Sequence, residues 1–320
     1  MPDQSGFFIH RSGLFTTIQD LGRYGYQHFG VSVSGAMDRT GLRIGNRIVG
    51  NPDGAAALEM TLQGPDVEFT GDAIIAVTGA DLSPSLNGDL MPMWSAVAVR
   101  GVDRLRFGPR RQGCRSYVCV RGGLDVPAVL GSRSTDVRAG IGGLGGRRLG
   151  KGDEVYFGTC IRKTSRPLGW EFPVDARPEY STAPALRVMP GPQAECFSQD
   201  AMDTLFTNVY VVAPDSDRIG FRLDGAPIAH RGSMEWISDA TAAGTIQVPA
   251  DRRPILLMAD CQTTGGYPKI ASVMSVDMGQ AGQLAPGDRV RFAPITAEEA
   301  LILFRKEREK LDHILPPIAP

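Results

Sequence analysis

Residues 36–44 read AMDRTGLRI, and residues 216–223 read SDRIGFRL. Each stretch places an Asp–Arg pair shortly before a Gly, and an Arg between apolar residues then follows. Downstream of each lies an apolar run that ends in Asp, namely IIAVTGAD from Ile74 and ILLMAD from Ile255. Because the order of these features repeats together with their chemistry, the sequence predicts an internal duplication.

The two predicted halves also end in similar sequences. Residues 149–157 read LGKGDEVYF, and residues 284–292 read LAPGDRVRF. Gly-Asp turns before strands are common in β proteins, so coincidence is the alternative explanation. The shared order favours duplication, and duplication predicts two related β-barrels whose equivalent loops meet at one cleft.

Composition favours short strands over helices. The chain of 320 residues contains 39 Gly and 23 Pro, and most of its apolar runs are short and bounded by turn-forming residues. Such runs are typical of buried strands. Strands do not alternate regularly with helical patterns, which disfavours a doubly wound sheet. The expected fold class is therefore mainly β, as two barrels with a few short helices.

Two helices are expected. The first follows Ser34 or Asp38 as its N-cap and ends at Gly50, although its two interior glycines oppose helix formation. The second lies near the C-terminus, where Thr296 and Glu299 have the spacing of a capping box.

The domain boundaries follow from these patterns. Residues 162–184 carry four prolines in RKTSRPLGWEFPVDARPEYSTAP and show little periodicity, which is typical of a linker. The prediction is a first barrel at 1–161, the Pro-rich linker at 162–184, a second barrel at 185–295, and a C-terminal helix and tail at 296–320.

Charge and cysteine usage exclude several classes of protein. With 34 basic and 35 acidic residues the net charge is −1, which argues against nucleic-acid or anionic-membrane partners found by bulk electrostatics. The five cysteines are scattered without a CxxC motif, and the four histidines lack metal-ligand spacing, so reduced thiols and no metal site are expected. We see no signal peptide and no membrane span, and expect a cytoplasmic protein.

One glycine-rich segment imitates a phosphate loop. Residues 145–153, GGRRLGKGD, match the GxxxxGK part of that motif. A phosphate loop then needs Ser or Thr and a helix, whereas Gly152 and an apolar strand pattern follow here. The segment is therefore expected to form a hairpin turn.

The segment CQTTGGYPKI, which begins at Cys261, is a stronger candidate for a ligand site. Adjacent glycines let backbone N–H groups approach a ligand, hydroxyls can donate to an anion, and a lysine supplies positive charge. The alternative is an ordinary turn between strands. The candidate binding residues are Gln262, Thr263, Thr264, Gly265, Gly266, Tyr267 and Lys269.

The two Asp–Arg pairs are further candidates. The sequence has no GxSxG elbow and no credible Ser/His/Asp or Cys/His set, so a nucleophile on this chain is not expected. Asp38 or Asp217 could act as a general base, and Arg39 or Arg218 could bind a carboxylate. The alternative is a structural Asp–Arg pair that fixes a loop, which is the commoner use. If Arg218 does bind substrate, Arg218→Ala should lower turnover by tenfold or more and leave the fold intact.

Long blocks of the chain, in order, resemble the biotin-dependent carboxyltransferase family, also called the allophanate hydrolase subunit 2 family. These blocks lie between about residues 11 and 293. They are TTIQDLGRYGYQHFGVSVSGAMDR, NRIVGNPDGAAALEMTLQGP, TGADL, RGGLDVPAVLGSRSTD, MPGPQ, PDSDRIGFRL, IQVP and ADCQTTGGYPKIA.

The resemblance implies two cyclophilin-like β-barrels, in agreement with the predicted duplication. Chains of this length resemble the branch of the family that forms the C subunit of 5-oxoprolinase. That branch implies work with subunits B and A, and with ATP and Mg²⁺, to open 5-oxoproline to L-glutamate. A second branch of the family moves a carboxyl group from biotin to urea. This chain has no AMKM-like biotin-attachment sequence, so any biotin must arrive on another protein. A third possibility is a regulatory binding subunit, because one relative antagonises a kinase inhibitor.

Overall fold

The computed structural model describes residues 5–159, 167–231 and 237–317. The chain divides into two compact units, which are described separately below. The first unit consists of Met1–Arg23, Ser34–Tyr180 and Lys310–Pro320, and the second of Tyr24–Val33 and Ser181–Glu309.

The predicted linker spans this division. Residues 162–166 lie outside the described residues. The part that follows, up to Tyr180, belongs to the first unit, where Phe172 and Tyr180 are buried in a hydrophobic cluster. The short segment Tyr24–Val33, which the sequence analysis placed in the first barrel, is grouped with the second unit.

Two antiparallel sheets form the first unit. Its described strands are β1 (Gly6–Arg11), β2 (Phe15–Gln19), β3 (Ala57–Thr61), β4 (Asp66–Phe69), β5 (Ala73–Asp81), β6 (Pro84–Leu86), β7 (Asp89–Leu90), β8 (Val97–Val99), β9 (Arg104–Phe107), β10 (Gln112–Val120) and β11 (Glu154–Tyr156). One sheet has the order β11-β1-β4-β9-β6-β7, and the other has the order β2-β3-β10-β5-β8.

Strand β10 is buried on both faces, and its alternation divides the core into two clusters. Val118 and Val120 belong to a cluster with residues from both sheets. Tyr117 and Cys119 belong to the other, which includes residues of helix α1 (Arg39–Val49). Successive side chains of a strand point to opposite faces, so one strand serves both clusters.

Helix α1 forms as predicted, with Asp38 as its N-cap and Gly50 as its left-handed C-cap. Its interior glycine at position 45 has a packing reason that the sequence does not show. A Cβ at Gly45 would lie 2.6 Å from Cys119 Sγ and 2.7 Å from Thr78 Oγ1. The glycine therefore lets the helix pack closely against the sheet.

A closed seven-stranded barrel forms the second unit, in the order β12-β19-β16-β17-β14-β13-β20. The strands of this unit are β12 (Ala185–Pro190), β13 (Tyr210–Val212), β14 (Gly220–Asp224), β15 (Asp239–Ala240), β16 (Thr245–Gln247), β17 (Ile255–Leu257), β18 (Thr264–Gly265), β19 (Lys269–Val273) and β20 (Arg289–Pro294). Strands β15 and β18 pair separately as a two-stranded sheet. The remaining described α-helices are α2 (Gln199–Thr207), α3 (Met278–Ala281) and α4 (Ala297–Ile314).

Helix α4 begins with the predicted capping box. The Glu299 carboxylate accepts from the Thr296 backbone N–H at 2.9 Å, and the Glu299 backbone N–H donates to Thr296 Oγ1 at 3.2 Å. Helix α2 was not predicted from the sequence.

The similar segments 149–157 and 284–292, which end the two predicted halves, contain the same type of turn. The Asp153 carboxylate accepts from the Gly150 N–H at 2.7 Å, and the Asp288 carboxylate accepts from the Ala285 N–H at 2.8 Å. The glycine before each aspartate, at positions 152 and 287, has a φ of 88°. This agreement in detail supports the predicted duplication.

The two Asp–Arg stretches precede different kinds of secondary structure, a helix and a strand. Asp38 caps a helix by accepting from the Gly41 N–H at 2.9 Å. Asp217 caps a turn by accepting from the Ile219 N–H at 2.8 Å, and strand β14 follows. The similar sequences therefore reflect a common use of Asp to cap nearby backbone N–H groups, without a common secondary structure.

The predicted fold class is confirmed as mainly β with few helices. No helix among the described residues is both long and apolar enough to span a membrane.

Candidate functional site

The segment 262–269 belongs to the second unit. Its residues 264–265 form strand β18, which pairs with β15 in the register Asp239 with Gly265 and Ala240 with Thr264. The Thr241 N–H donates to the Thr263 carbonyl at 3.0 Å, and the Thr241 hydroxyl donates to the Gln262 carbonyl. The predicted loop is therefore held on a neighbouring segment by backbone hydrogen bonds.

A buried glutamine, Gln247, contacts this loop. Gln247, which is almost completely buried, donates through Nε2 to the Tyr267 carbonyl at 3.3 Å. Its Oε1 accepts from Gln262 Nε2 at 3.4 Å. A Cβ at Gly265 would lie 2.7 Å from Gln247 Nε2, so the first glycine of the GG pair allows the loop to lie against this amide.

Lys269 begins strand β19 and is the cross-strand partner of Gln247. Only 3% of the residue is exposed. Its ammonium lies 3.4 Å from an Asp239 carboxylate oxygen and 3.5 Å from Gln193 Oε1. We call Lys269, Asp239, Gln193, Gln247 and Gln262 the Lys269 cluster.

Gln193 reaches the cluster because its backbone approaches β19 closely. The Gly191 N–H donates to the Ile270 carbonyl at 2.9 Å, and a Cβ at Gly191 would lie 2.2 Å from the Lys269 carbonyl oxygen. The Lys269 N–H then donates to Gln193 Oε1 at 3.1 Å. Only glycine permits this approach.

Sequence reasoning missed three members of the cluster, namely Gln193, Asp239 and Gln247. Gln193 lies in the block MPGPQ and Gln247 lies in the block IQVP, both of which carry the family resemblance. The resemblance indicated that these segments matter but gave no role to the two side chains. Asp239 lay in no such block.

Arg218 and Asp260 form a buried ion pair. Arg218 Nε and Nη2 donate to the two Asp260 oxygens at 2.8 and 2.9 Å, and the side chains are 7% and 8% exposed. A bidentate, charge-assisted pair of this kind is a strong interaction. It uses guanidinium donors that we predicted from the sequence to bind a substrate carboxylate. Asp217 is exposed at the turn described above. The assignments of Arg218 and Asp217 to substrate binding and catalysis stay predictions.

Asp38 lies in a buried hydrogen-bond network of the first unit. Its carboxylate accepts from the Gly41 N–H and, at 2.6 Å, from the Tyr180 hydroxyl. The Asp38 N–H donates to the Tyr117 hydroxyl, which donates to the Glu59 carboxylate at 2.7 Å. Burial, followed by the charges of Glu59 and Asp38, raises the pKa of Tyr117 well above its ordinary value, so its hydroxyl remains a donor.

The predicted residues are thus divided between the units. Asp38 and Arg39 belong to the first unit, whereas Asp217, Arg218 and residues 262–269 belong to the second. Within the second unit the structure brings Gln262 and Lys269 into one cluster, and it gives Arg218 a separate ion pair. The expected common cleft remains a prediction.

The first unit also has a pocket of about 520 Å³. Trp94, Met91 and Met93 give it an apolar part, and Arg111 and Arg177 also line it. The glycine-rich segment 145–153, which resembles part of a phosphate loop, does not line this pocket and forms the turn before β11. It is followed by a strand, so it has no helix N-terminus to bind phosphate. In the parts of the chain that the structure describes, no three or more His, Cys, Asp or Glu side chains form a group that could hold a metal ion.

Comparison with known proteins decides the family. The family model for the carboxyltransferase domain, subdomains A and B, matches residues 29–294. The chain belongs to this carboxyltransferase family. It is 37% identical to the C subunit of 5-oxoprolinase from Escherichia coli strain K12, over 92% of both chains. It is 36% identical to the C subunit of 5-oxoprolinase from Haemophilus influenzae, over 93% of this chain and 94% of the relative.

A solved structure gives the same family assignment. The K. lactis urea amidolyase superposes with a TM-score of 0.91 at 31% identity over 98% of this carboxyltransferase-family chain. The match covers 20% of the urea amidolyase chain, so the present chain spans a fifth of that protein.

The Lys269 cluster combines one buried cation and the exposed Asp239 carboxylate with neutral amide donors and acceptors. An ammonium can neutralise a carboxylate or a developing oxyanion, and amides can pair with the C=O and N–H groups of an amide-containing ligand. The arrangement therefore suits a small anionic molecule that contains an amide.

Proposed function

We propose that this chain is the C subunit of an ATP-dependent 5-oxoprolinase, which hydrolyses 5-oxo-L-proline to L-glutamate. The observation that carries the proposal is the end-to-end match with the C subunits of two 5-oxoprolinases, each covered over at least 92% of its length. The urea amidolyases match only through a small part of much longer chains. The partners in this proposal are subunits B and A, and the compartment is the cytoplasm.

The chemistry of lactam opening explains what such a complex needs. An unstrained amide resists attack by water, and transfer of the γ-phosphoryl group of ATP to the lactam oxygen, with ADP as the leaving group, activates the carbonyl carbon. Water then adds to this carbon, the ring C–N bond breaks as the nitrogen takes up a proton, and hydrolysis of the resulting acyl phosphate releases phosphate and L-glutamate. The complex then needs anion-binding groups for the phosphate and the substrate carboxylate, and a base that takes a proton from water. Lys269 and the 262–267 loop are our candidates for anion binding, and Asp38 and Asp217 are our candidates for the base.

ATP, with Mg²⁺, enters as a co-substrate of the complex. The glycine-rich segment that ends at Lys151 leads into strand β11 and does not fit a phosphate loop. We therefore derive no nucleotide-binding step from this chain.

Reconstitution tests the proposal. The chain is mixed with its candidate partner subunits A and B, and glutamate release from 5-oxoproline is followed with and without ATP. We expect glutamate only when ATP and all three chains are present. A properly assembled complex that releases no glutamate would overturn the proposal, and omission of each subunit in turn shows whether this chain is required.

A biotin-dependent carboxyltransferase for a urea-like substrate is the second candidate. The family model itself and the close superposition on urea amidolyase favour it. Because the chain lacks an AMKM-like sequence, a partner would have to carry the biotin. An avidin blot of proteins that co-purify with the chain tests this candidate, and it predicts a biotinylated partner that the 5-oxoprolinase proposal does not require.

A further inference from the structure

The Lys269 ammonium is poorly coordinated for a buried cation. Only 4% of the side chain is exposed, and among the described residues its two polar contacts are 3.4 Å to Asp239 and 3.5 Å to Gln193. Charge-assisted hydrogen bonds of an ammonium are normally about 2.7–2.9 Å long. A buried ammonium with only such long contacts is incompletely stabilised, so this site would gain from a closer anion.

Asp239 supplies a carboxylate from the surface. Its side chain is 56% exposed, and its other oxygen accepts from the Ala240 N–H at 2.7 Å. That backbone N–H, followed by the charge of Lys269, lowers the pKa of Asp239, so the side chain is an anion at neutral pH.

The segment that carries Asp239 pairs with the 262–269 loop and is not a strand of the closed barrel. Strand β15 has two residues and pairs with β18, which also has two. Such a short ladder has little cooperative stability, and local opening of such elements costs much less than global unfolding. The Asp239 carboxylate can therefore leave the ammonium without disturbing the barrel.

The groups next to this ion pair are neutral amides. Gln193 Nε2 donates to Asp239 at 3.3 Å, and the same side chain accepts from the Lys269 N–H. Gln247 and Gln262 pair with each other at the neighbouring position. A ligand with a carboxylate next to a cyclic amide matches these groups, because the carboxylate can accept from the ammonium and the cyclic amide can pair with the glutamine amides.

We propose that Lys269 and Gln193 bind the carboxylate of a cyclic-amide substrate at the position that the Asp239 carboxylate takes in this structure. Asp239 is then an internal competitor that weakens binding and selects ligands with their own carboxylate. The identity of the substrate as 5-oxoproline rests on the proposed function, whereas the anion site and its competitor rest on the geometry of the second unit.

The two charged residues give opposite effects in steady-state kinetics of the assembled complex. Lys269→Met should raise KM for 5-oxoproline by tenfold or more, because it removes a charge-assisted hydrogen bond. Asp239→Asn should lower KM by about threefold to tenfold, because it removes the competing anion and keeps the size of the side chain. In the double variant the Asp239 substitution should have no further effect, since the ammonium for which it competes is gone.

Matched variants separate this role from a structural one. Asp215→Asn removes the same charge from an exposed ion pair of the same unit, with Arg222 at 2.9 Å, and should leave KM unchanged. Lys269→Arg retains the cation and should recover part of the loss. Because Asp239 is exposed, its variant tests the proposal even if Lys269→Met impairs folding.

The outcomes distinguish this inference from the proposed function. If the wild-type complex releases glutamate while Asp239→Asn and Lys269→Met leave KM unchanged, the anion site is wrong and the proposed function stands. If the wild-type complex releases none, equilibrium binding of 5-oxoproline and of the neutral lactam 2-pyrrolidinone decides. Preference for 5-oxoproline that disappears in Lys269→Met supports the site, and absence of such preference overturns it.

Discussion

The buried Arg218–Asp260 ion pair predicts a large loss of free energy of unfolding when one partner is removed. Both side chains are less than a tenth exposed, and two hydrogen bonds of 2.8 and 2.9 Å join them. Arg218→Ala would leave the Asp260 carboxylate buried without this guanidinium. Removal of one partner from a buried ion pair costs about 3–5 kcal/mol, so we expect a loss of about 4 kcal/mol in the second unit.

Urea denaturation measures this loss. For a unit of this size the slope is about 2 kcal/mol/M, so the unfolding midpoint of the second unit should fall by about 2 M. Hydrogen exchange followed by mass spectrometry on peptides of that unit keeps the measurement specific to it. The Asp260 N–H is a suitable reporter, because it donates to the Arg218 carbonyl at 2.8 Å.

Two further variants control the interpretation. Arg218→Met combined with Asp260→Leu replaces both charges by apolar groups, and we expect it to be much more stable than Arg218→Ala. Arg222→Ala breaks an exposed pair with Asp215 and should cost less than about 1 kcal/mol.

The expected result conflicts with the sequence-based hypothesis, which required that Arg218→Ala lower turnover in an intact fold. If the midpoint shifts by less than about 0.5 M while turnover falls tenfold, the structural argument is refuted and Arg218 binds substrate.

Three more predictions concern other positions. The hydrogen bond from Arg147 lowers the pKa of Asp153, so this pair stabilises the protein above the unfolded-state pKa of about 4 and is lost as the pH falls through the lower folded-state value. Asp153→Asn should therefore destabilise by at most about 1 kcal/mol in thermal unfolding at pH 7, and the difference should decrease as the pH is lowered below about 4. Gly191→Ala should displace the turn from the Lys269 carbonyl and raise KM for 5-oxoproline several-fold, measured beside the wild type. Burial, with the charge of Asp260, raises the pKa of the Cys261 thiol to about 12, so iodoacetamide at pH 8 should label it only after urea unfolding, as read by peptide mass spectrometry.

Each of these three predictions has an outcome that contradicts it. A difference for Asp153→Asn that does not decrease as the pH is lowered below about 4 would show that the salt bridge is not its source. A Gly191→Ala variant with unchanged KM would show that the turn can shift without moving Gln193. Rapid labelling of Cys261 in the folded protein would show that its surroundings open to solvent.

Local signals predicted much of the fold. The capping residues of α1 and α4 act within one turn of sequence, and their side chains bond as expected. The same holds for the turn at Asp153, where the carboxylate bonds three residues back. Helix α2 also has a capping residue, Ser198, whose hydroxyl accepts from the Ala201 N–H at 3.2 Å. Among its described residues only Ala201 and Leu205 are buried, which leaves a weak apolar stripe.

Long-range contacts were not visible in the sequence. Arg218 was expected to act beside Asp217, yet it pairs with Asp260 because β14 and β17 are neighbours in the barrel. Gln193 meets Lys269 only through the close approach at Gly191. A pattern argument sees spacing along the chain, whereas these contacts depend on which strands pair.

The two candidate bases differ in a way that bears on the proposed reaction. A general base must come within hydrogen-bond reach of the water that it activates. Asp38 has no exposed surface, and its oxygens accept from the Gly41 N–H and the Tyr180 hydroxyl, so it can meet water only if this network opens. Asp217 is exposed, and the bonds that cap its turn use one oxygen, Oδ1. The geometry therefore favours Asp217 for proton transfer, and it favours Asp38 for holding the start of helix α1.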